Sequence, residues 1–489
     1  MQEPARWNDD PKCGHLVAHE FQTHYCTYIR APRLLLLQRT QTENPDELLA
    51  ILALQAIELW LRVVRNDLDA TLGELKAEKP YSFQLTKLLS RTSTLIELLD
   101  RHVDLAESIL LDDLSLSLPL SGPLSDLRTS QLGVLEEQTQ QLGVLLGGTE
   151  GTSERYAQMG REFIHRSKRW SERYQRMLTE LFDTDRPTAL NLDQYLAIEE
   201  LLDLEQGVKG DWAPEGSAPK RLRATEQPSP DEIMFIVVHQ VFELWFRALI
   251  HQVEAVQEDL ARQVAAMDAA SRRMRRVVRI QKLLVDMIHV PATMLPMDFL
   301  RFRARSKLID GVSHFRGLTP ASGTESYQFR ELEIMAGLRD NSAYQEFLEG
   351  NQNMHIRFLT ASHEARMERP SLSQVFEDLI RARGISDLKE IFSPADVLNP
   401  NADLAELADL LLEFDQFFQL WRVNHLTMVQ SMIGRKSGTG FLGPEYLKET
   451  VGMGMQGEDD RLLQTPQIRP RFFQELWEVR TRLQFEELQ

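Results

Sequence analysis

Apolar residues recur along this chain at three- and four-residue spacing, and almost nowhere in strict alternation. Leu48, Ile51, Leu52, Ile57 and Leu61 form one stripe, and Ile233, Ile236, Val237, Phe242, Leu244 and Leu249 form another. That period turns one face of each segment toward a core, so the pattern predicts an all-α fold. The stripes lie in a repeat: PDELLAILALQAIELWLRVVRNDLDA at Pro45–Ala70 aligns without a gap to PDEIMFIVVHQVFELWFRALIHQVEA at Pro230–Ala255. The two share Pro-Asp-Glu, Gln55/Gln240, Glu58-Leu59-Trp60/Glu243-Leu244-Trp245 and Arg62/Arg247. Pro-Asp-Glu reads as a helix opening, with proline in the first turn and carboxylates at the positive end of the helix dipole.

Weaker correspondences continue in register order. Tyr28 falls against Tyr195, Lys87-Leu88-Leu89 against Lys282-Leu283-Leu284, and Gln131, Leu135 and Glu136 against Gln328, Leu332 and Glu333. Trp170–Leu178 falls against Trp421–Val429. A repeat at this spacing is that of a duplicated unit. It predicts tandem helical bundles at 1–183 and 188–489, joined by a linker at 183–190, with a polar Pro/Gly-rich loop at 207–230.

Composition narrows the function classes. A hydrophobic content of 43% with 26% charged residues is that of a globular chain. The formal net charge of −18 argues against a nucleic-acid or anionic-membrane surface. The basic run Arg272–Arg279 is expected to be the solvated face of a helix. No apolar run is judged long enough to span a bilayer and the N-terminus has no signal-peptide core, so a cytoplasmic protein is expected. The two cysteines, Cys13 and Cys26, exclude a disulfide framework and a Cys-rich zinc site.

The repeats differ where chemistry is possible. A lone histidine on an apolar helix face is ordinarily a core residue satisfied by a carbonyl, and His239 has such a setting among Phe235, Ile236 and Phe242. Leu54 occupies the same place in the first repeat, so the helix packs without an imidazole. His425, on another apolar helix, is matched in the first repeat by Tyr174. Two inward histidines unique to the second repeat point to a shared buried ligand. A single imidazole on an apolar helix suits a haem iron, whereas zinc or non-haem iron would need further close-spaced ligands that the sequence lacks. Arg303 follows Phe299 by four residues, on one helical face, and could clamp a carboxylate; in isolation it reads as an ordinary surface arginine. The Gly434–Gly443 loop does not follow the phosphate-loop order, and suits a closing loop with Thr439 as its hydrogen-bonding group.

Together, NLDQYLAIEELLDLEQ, PDEIMFIVVHQVFELW, LPMDFLRFR, TPASGTESYQFRELE and WRVNHLTMVQSMIGRKSGTG resemble, in order, the tryptophan 2,3-dioxygenase family over roughly Thr188–Thr450. The resemblance implies an all-α haem b enzyme that cleaves the indole C2–C3 bond of L-tryptophan, or a close analogue, with O₂ to give N-formylkynurenine. It implies His425 as proximal haem-iron ligand and His239 as the distal histidine hydrogen-bonded to the indole N–H. Phe235 and Phe299 would be the apolar wall, Arg303 the carboxylate grip and Thr439 the ammonium contact. The family's tyrosine that reaches into a neighbouring subunit's site is replaced by Leu192 here, and the first repeat has Tyr25 at that place. The haem-free first repeat is therefore expected to act as a fused neighbour donating Tyr25, and two such chains to form a homodimer of pseudo-dimers.

Departures from the family pattern keep other outcomes open. Ser322-Gly323-Thr324-Glu325-Ser326 differs from the family's segment, residues 303–317 carry an insertion, and Phe441 replaces a glycine. They leave room for a monooxygenase of a tryptophan derivative or other aromatic amino acid, or for a catalytically silent haem or tryptophan sensor. Cys26 is expected to be an ordinary buried thiol.

Overall fold

The computed structural model describes residues 25–77, 82–114, 116–119, 127–148, 154–183, 190–207, 213–214, 228, 230–262, 267–303, 305–310, 312–316, 323, 326–338, 361–392, 399–434, 436 and 471–483. The predicted all-α class holds. The long helices are Glu47–Lys76, Ser82–Ala106, Ser130–Gly148, Glu154–Leu181, Pro230–Ala261, Met267–Met287 and Ala402–Ile433. Both repeat helices start at Pro-Asp-Glu, with one difference. Pro230 is the first helical residue in the second repeat, whereas in the first the helix begins at Glu47, after Pro45 and an N-cap at Asp46. The Glu47 carboxylate accepts from the N–H groups of Gln41 and Thr42 at 2.8 and 2.7 Å, folding the preceding segment back over the helix start.

Two expectations need correction. Strands do occur: Arg305–Ile309 and Val312–Arg316 form an antiparallel hairpin, extended by Ala213–Pro214 from the 207–230 loop. This hairpin falls within residues 303–317, where an insertion was expected. In the sequence Asp310-Gly311 is a two-residue turn signal, and Asp310 adopts the left-handed conformation (φ 50°) that such turns favour. Leu118–Pro119 and Phe182–Asp183 also pair, in parallel. Second, the Pro230–Ala261 helix is long and apolar enough to cross a membrane by length and composition, contrary to the sequence reading; 78% of its apolar window is buried within the fold.

Packing groups the described residues into two compact units, one within His19–Trp245 and Asp286–Glu325, the other within Phe246–Val285 and Ser326–Gln489. In the first, the Glu47–Lys76 helix packs on Ser82–Ala106 and Ser130–Gly148, and Glu154–Leu181 packs on the latter two. Their apolar stripes are fully buried, including Ile51, Leu52, Leu54, Ile57 and Trp60.

The repeats exchange hydrogen bonds reciprocally within this unit. Tyr28 donates to Glu232 at 3.4 Å, and its counterpart Tyr195 donates to Glu47 at 2.6 Å. Gln240 donates to the Ile29 carbonyl at 3.1 Å, and Gln55 donates to the Leu196 carbonyl at 3.0 Å. Arg30 and Ala197, the residues that follow, both take left-handed backbone angles. The two signature tryptophans converge on one acceptor: Trp60 and Trp245 direct their indole N–H groups at His102 Nε2, at 3.2 and 3.4 Å. His102 Nδ1 lies 2.9 Å from the Leu98 carbonyl, so it carries the proton and Nε2 carries the lone pair. Burial holds the imidazole neutral, with its pKa down at about 4.

An ionic cluster also joins the repeats. Arg91 binds Asp67 through two nitrogens at 2.5 and 2.6 Å and Asp231 at 2.5 Å, while Lys87 bridges Asp231 and Asp298 at 2.7 and 3.1 Å. Arg91 and Asp67 have no exposed side-chain surface. Burial raises the Asp67 carboxyl pKa despite Arg91. At Asp231 the same burial is outweighed by Arg91 and Lys87, and its pKa falls.

In the second unit, Tyr327–Ala336 packs on Ala361–Met367 and Leu372–Ala382, and Ala402–Ile433 packs on the C-terminal helix Gln474–Arg482. Asp415 anchors that segment by accepting from the N–H groups of Phe472 and Phe473 and from the Trp477 indole. The basic run of Met267–Met287 is less solvated than its composition suggests. Arg272 is exposed, but Arg276 is buried, and Arg273 and Arg275 pair with Asp259 and Glu406.

Candidate functional site

Within the first unit, His239 stands on the Pro230–Ala261 helix with its ring half-buried. Its Nδ1 lies 2.6 Å from the carbonyl oxygen of Phe235, one turn earlier. A carbonyl only accepts, so Nδ1 holds the proton and Nε2 presents a lone pair. Burial lowers the imidazole pKa, the backbone hydrogen bond opposing this only in part, and the neutral form is favoured. The structure thus makes His239 an acceptor, as an indole N–H partner must be.

Three phenylalanines form the wall beside it. The Phe235 ring centroid is 4.4 Å from that of His239, 5.6 Å from Phe299 and 5.4 Å from Phe302. Phe302 was not singled out from sequence; its place three residues after Phe299 on the Pro296–Phe302 helix was the available signal. Arg303 is buried, but it is not within the helix as expected. It is the C-cap, its N–H still bonded to the Phe299 carbonyl at 2.9 Å while its ψ of 147° turns the chain into the hairpin. Tyr25, from the first repeat, lies against this group: its ring meets His239 edge-on at 5.7 Å, and its hydroxyl donates to buried Glu243 at 3.0 Å. Gly323 also borders His239 Nε2. The structure therefore brings together Tyr25, Phe235, His239, Phe299 and Arg303. Thr439 lies outside the described residues, as do Phe441, Ser322, Thr324 and Glu325.

His425 belongs to the second unit, half-buried on the Ala402–Ile433 helix. Trp421, one turn earlier, stacks on it at 5.2 Å and 12°, and is itself braced by Phe329 at 5.0 Å and Phe246 at 6.3 Å. In the first repeat the same positions hold Trp170 stacked on Tyr174 at 5.1 Å and 21°. There the side chain opposite His425 is already satisfied: Tyr174 donates to Glu58 at 3.0 Å, and Gln131 donates to the same carboxylate at 3.0 Å. Burial still raises the Glu58 pKa to about 7.

Among the described residues, no group of three or more His, Cys, Asp or Glu is arranged to hold a metal ion. One imidazole held in orientation by a stacked indole fits a metal that brings its own equatorial ligands, as haem iron does. Cys26 is fully buried, as an ordinary core thiol is.

A family model for tryptophan 2,3-dioxygenase matches residues 217–393. The chain is 34% identical over 260 residues to the tryptophan 2,3-dioxygenase of a Nocardioides species, covering 50% of this chain and 91% of that protein. It is 31% identical over 314 residues to the Herpetosiphon aurantiacus tryptophan 2,3-dioxygenase, covering 60% of this chain and 99% of the relative. An Anaeromyxobacter tryptophan 2,3-dioxygenase is 32% identical over 282 residues, 54% of this chain and 91% of its own length. Whole relatives thus align with little more than half of this sequence. On these matches and the helical framework that carries them, the chain belongs to the tryptophan 2,3-dioxygenase family.

Proposed function

We propose that the protein is a haem-dependent dioxygenase that opens the indole ring of L-tryptophan or a close analogue. The observation that carries this reading is His239: a neutral imidazole with a committed Nδ1 proton and an available Nε2 lone pair, set in an aromatic wall with a buried arginine at its end. Each part answers a part of the amino acid. Nε2 accepts the indole N–H, Phe235 and Phe299 confine the ring, and Arg303 pairs with the carboxylate. Thr439 is assigned the ammonium group on the strength of the family resemblance. Haem b, when bound to His425, supplies dioxygen activation; the protein's task is to orient the substrate and keep water away.

In this reading the first repeat is a haem-free pseudo-subunit spanning 1–183, and the catalytic unit spans 188–489. The Tyr174–Glu58 hydrogen bond and the reciprocal bonds between the repeats support it. A homodimer of such chains and a cytoplasmic setting belong to the same proposal. The test is to give L-tryptophan and air to the reduced, haem-loaded protein and weigh the product. A gain of two oxygen atoms is expected, with one haem per chain and loss of the haem band in His425→Ala. A gain of one oxygen atom identifies a monooxygenase, and no product despite a substrate-induced spectral change identifies a sensor.

The fused-neighbour role makes a separate prediction. Tyr25→Phe removes one donor to buried Glu243, one turn beyond His239, and a hydrogen bond to a charged group contributes about 1.5–3 kcal/mol. Part of that cost is expected to appear as a several-fold rise in the KM for tryptophan. If only the thermal midpoint falls and KM stays constant, Tyr25 serves packing alone.

A further inference from the structure

The Pro296–Phe302 helix, which leads into Arg303, has seven residues. Isolated helices shorter than about 12–15 residues are marginal in water, so its position against the Pro230–Ala261 helix is set by tertiary contacts. Part of that fixing is apolar, through the contacts of Phe235 with Phe299 and Phe302. The other part is ionic and comes from the first repeat. Lys87, on the Ser82–Ala106 helix, donates to Asp231 at 2.7 Å and to Asp298 at 3.1 Å. Its side chain is 7% exposed, against 3% for Asp231 and 20% for Asp298, so the ammonium is largely withdrawn from water and committed to the two carboxylates. Asp231, Phe235 and His239 recur at four-residue spacing on one helix face, and Asp298 directly precedes Phe299. One cation thus ties the element that carries His239 to the element that ends in Arg303.

The brace runs one way. Lys282 stands at the place of Lys87 in the second repeat, yet it pairs with Glu413 at 3.3 Å at an exposed surface, and Asp286 stands at the place of Arg91. We infer that Lys87 is a positioning residue of the substrate site, which fixes the Arg303 end of that site against the His239 helix through Asp298 and Asp231. The inference rests on the dioxygenase reading above and goes beyond it, giving the haem-free repeat a part in substrate binding by a side chain other than Tyr25. Without the ammonium, two neighbouring carboxylates repel each other. Asp231 keeps Arg91, but Asp298 keeps only the exposed Arg301 among the printed ion pairs, at 3.5 Å. The short helix then moves off, and a substrate whose indole N–H stays on His239 no longer meets Arg303 with its carboxylate.

The test uses the haem-loaded full-length chain with Lys87→Met, Lys87→Arg, Asp298→Asn and the double variant Lys87→Met/Asp298→Asn. Tryptophan and tryptamine binding are measured by calorimetry, beside KM, kcat and the unfolding midpoint. Lys87→Met is expected to weaken tryptophan binding by about tenfold, within the range that a small displacement of a positioned group produces. Lys87→Arg, which keeps the charge, should retain most of the affinity. Asp298→Asn should weaken binding too, and the double variant should bind no worse than Lys87→Met, because the two side chains act as a pair. Tryptamine offers Arg303 no carboxylate and should lose little affinity in any of these variants. Wild-type affinity for tryptophan in Lys87→Met, or an equal loss for tryptophan and tryptamine, overturns the positioning role and leaves the function standing. Should Lys87→Met fail to fold, Asp298→Asn decides: it is close to isosteric at the most exposed corner of the bridge, and wild-type tryptophan affinity there overturns the inference. Wild-type protein that neither binds nor converts tryptophan overturns the function instead.

Discussion

Replacing Arg303 with leucine is expected to raise the KM for tryptophan by about two orders of magnitude, with a smaller effect on kcat. Arg303 is buried and follows Phe302 of the Phe235–Phe299–Phe302 cluster in sequence, so a substrate carboxylate that it met there would be stripped of water. Removing one member of a buried, hydrogen-bonded charge pair costs about 2–5 kcal/mol, mostly because the remaining charge is left without a partner. Arg303→Lys should recover only part of the loss, since an ammonium lacks the planar fork that meets both carboxylate oxygens. Tryptamine, which has no carboxylate, is the control: its weak binding should be the same in wild type and Arg303→Leu. An equal loss for tryptophan and tryptamine would mean that Arg303 holds the hairpin base in place and does not grip substrate.

Replacing Arg91 with leucine is the substitution expected to cost most in stability. The guanidinium faces Asp67 and Asp231, and Lys87 reaches only the second of these. Leucine would leave Asp67 buried without its direct ion-pair partner, with Lys87 acting on it only from a distance, at a cost of about 3–5 kcal/mol. The prediction is a clear fall in the midpoint of chemical denaturation. Adding Asp67→Leu should restore much of it, since removing both charges also removes their desolvation penalty. Additive losses in the double variant would show that the two side chains do not act as a pair. Because Asp231 opens the helix that carries His239, the same substitution should also weaken tryptophan binding.

Much of the candidate site was legible beforehand because its residues sit in a repeat, and one repeat serves as a control for the other. Leu54 against His239 and Tyr174 against His425 isolate chemistry from packing within a single sequence. The helices were legible for a local reason: burying one face of a helix requires apolar residues at its own period. Less legible were features set by partners distant in sequence. The burial of the Pro230–Ala261 helix cannot be read from its hydropathy, which equally suits a membrane span. The insertion's hairpin carried a usable signal in Asp310-Gly311, though a short one among many helices.

By itself, the sequence determined the all-α class, the repeat, the helices bearing His239 and His425, and the residues that match the family. Periodicity and residue identity are local properties, and helices answer to them directly. Only the tertiary structure decided the protonation pattern of His239, which depends on a carbonyl 2.6 Å from Nδ1. It alone set Tyr25 of the first repeat against that imidazole and gave Trp60 and Trp245 a common acceptor in His102. A hydrogen bond or a ring contact is a relation between groups tens to hundreds of residues apart, and it exists only once the chain has closed around them.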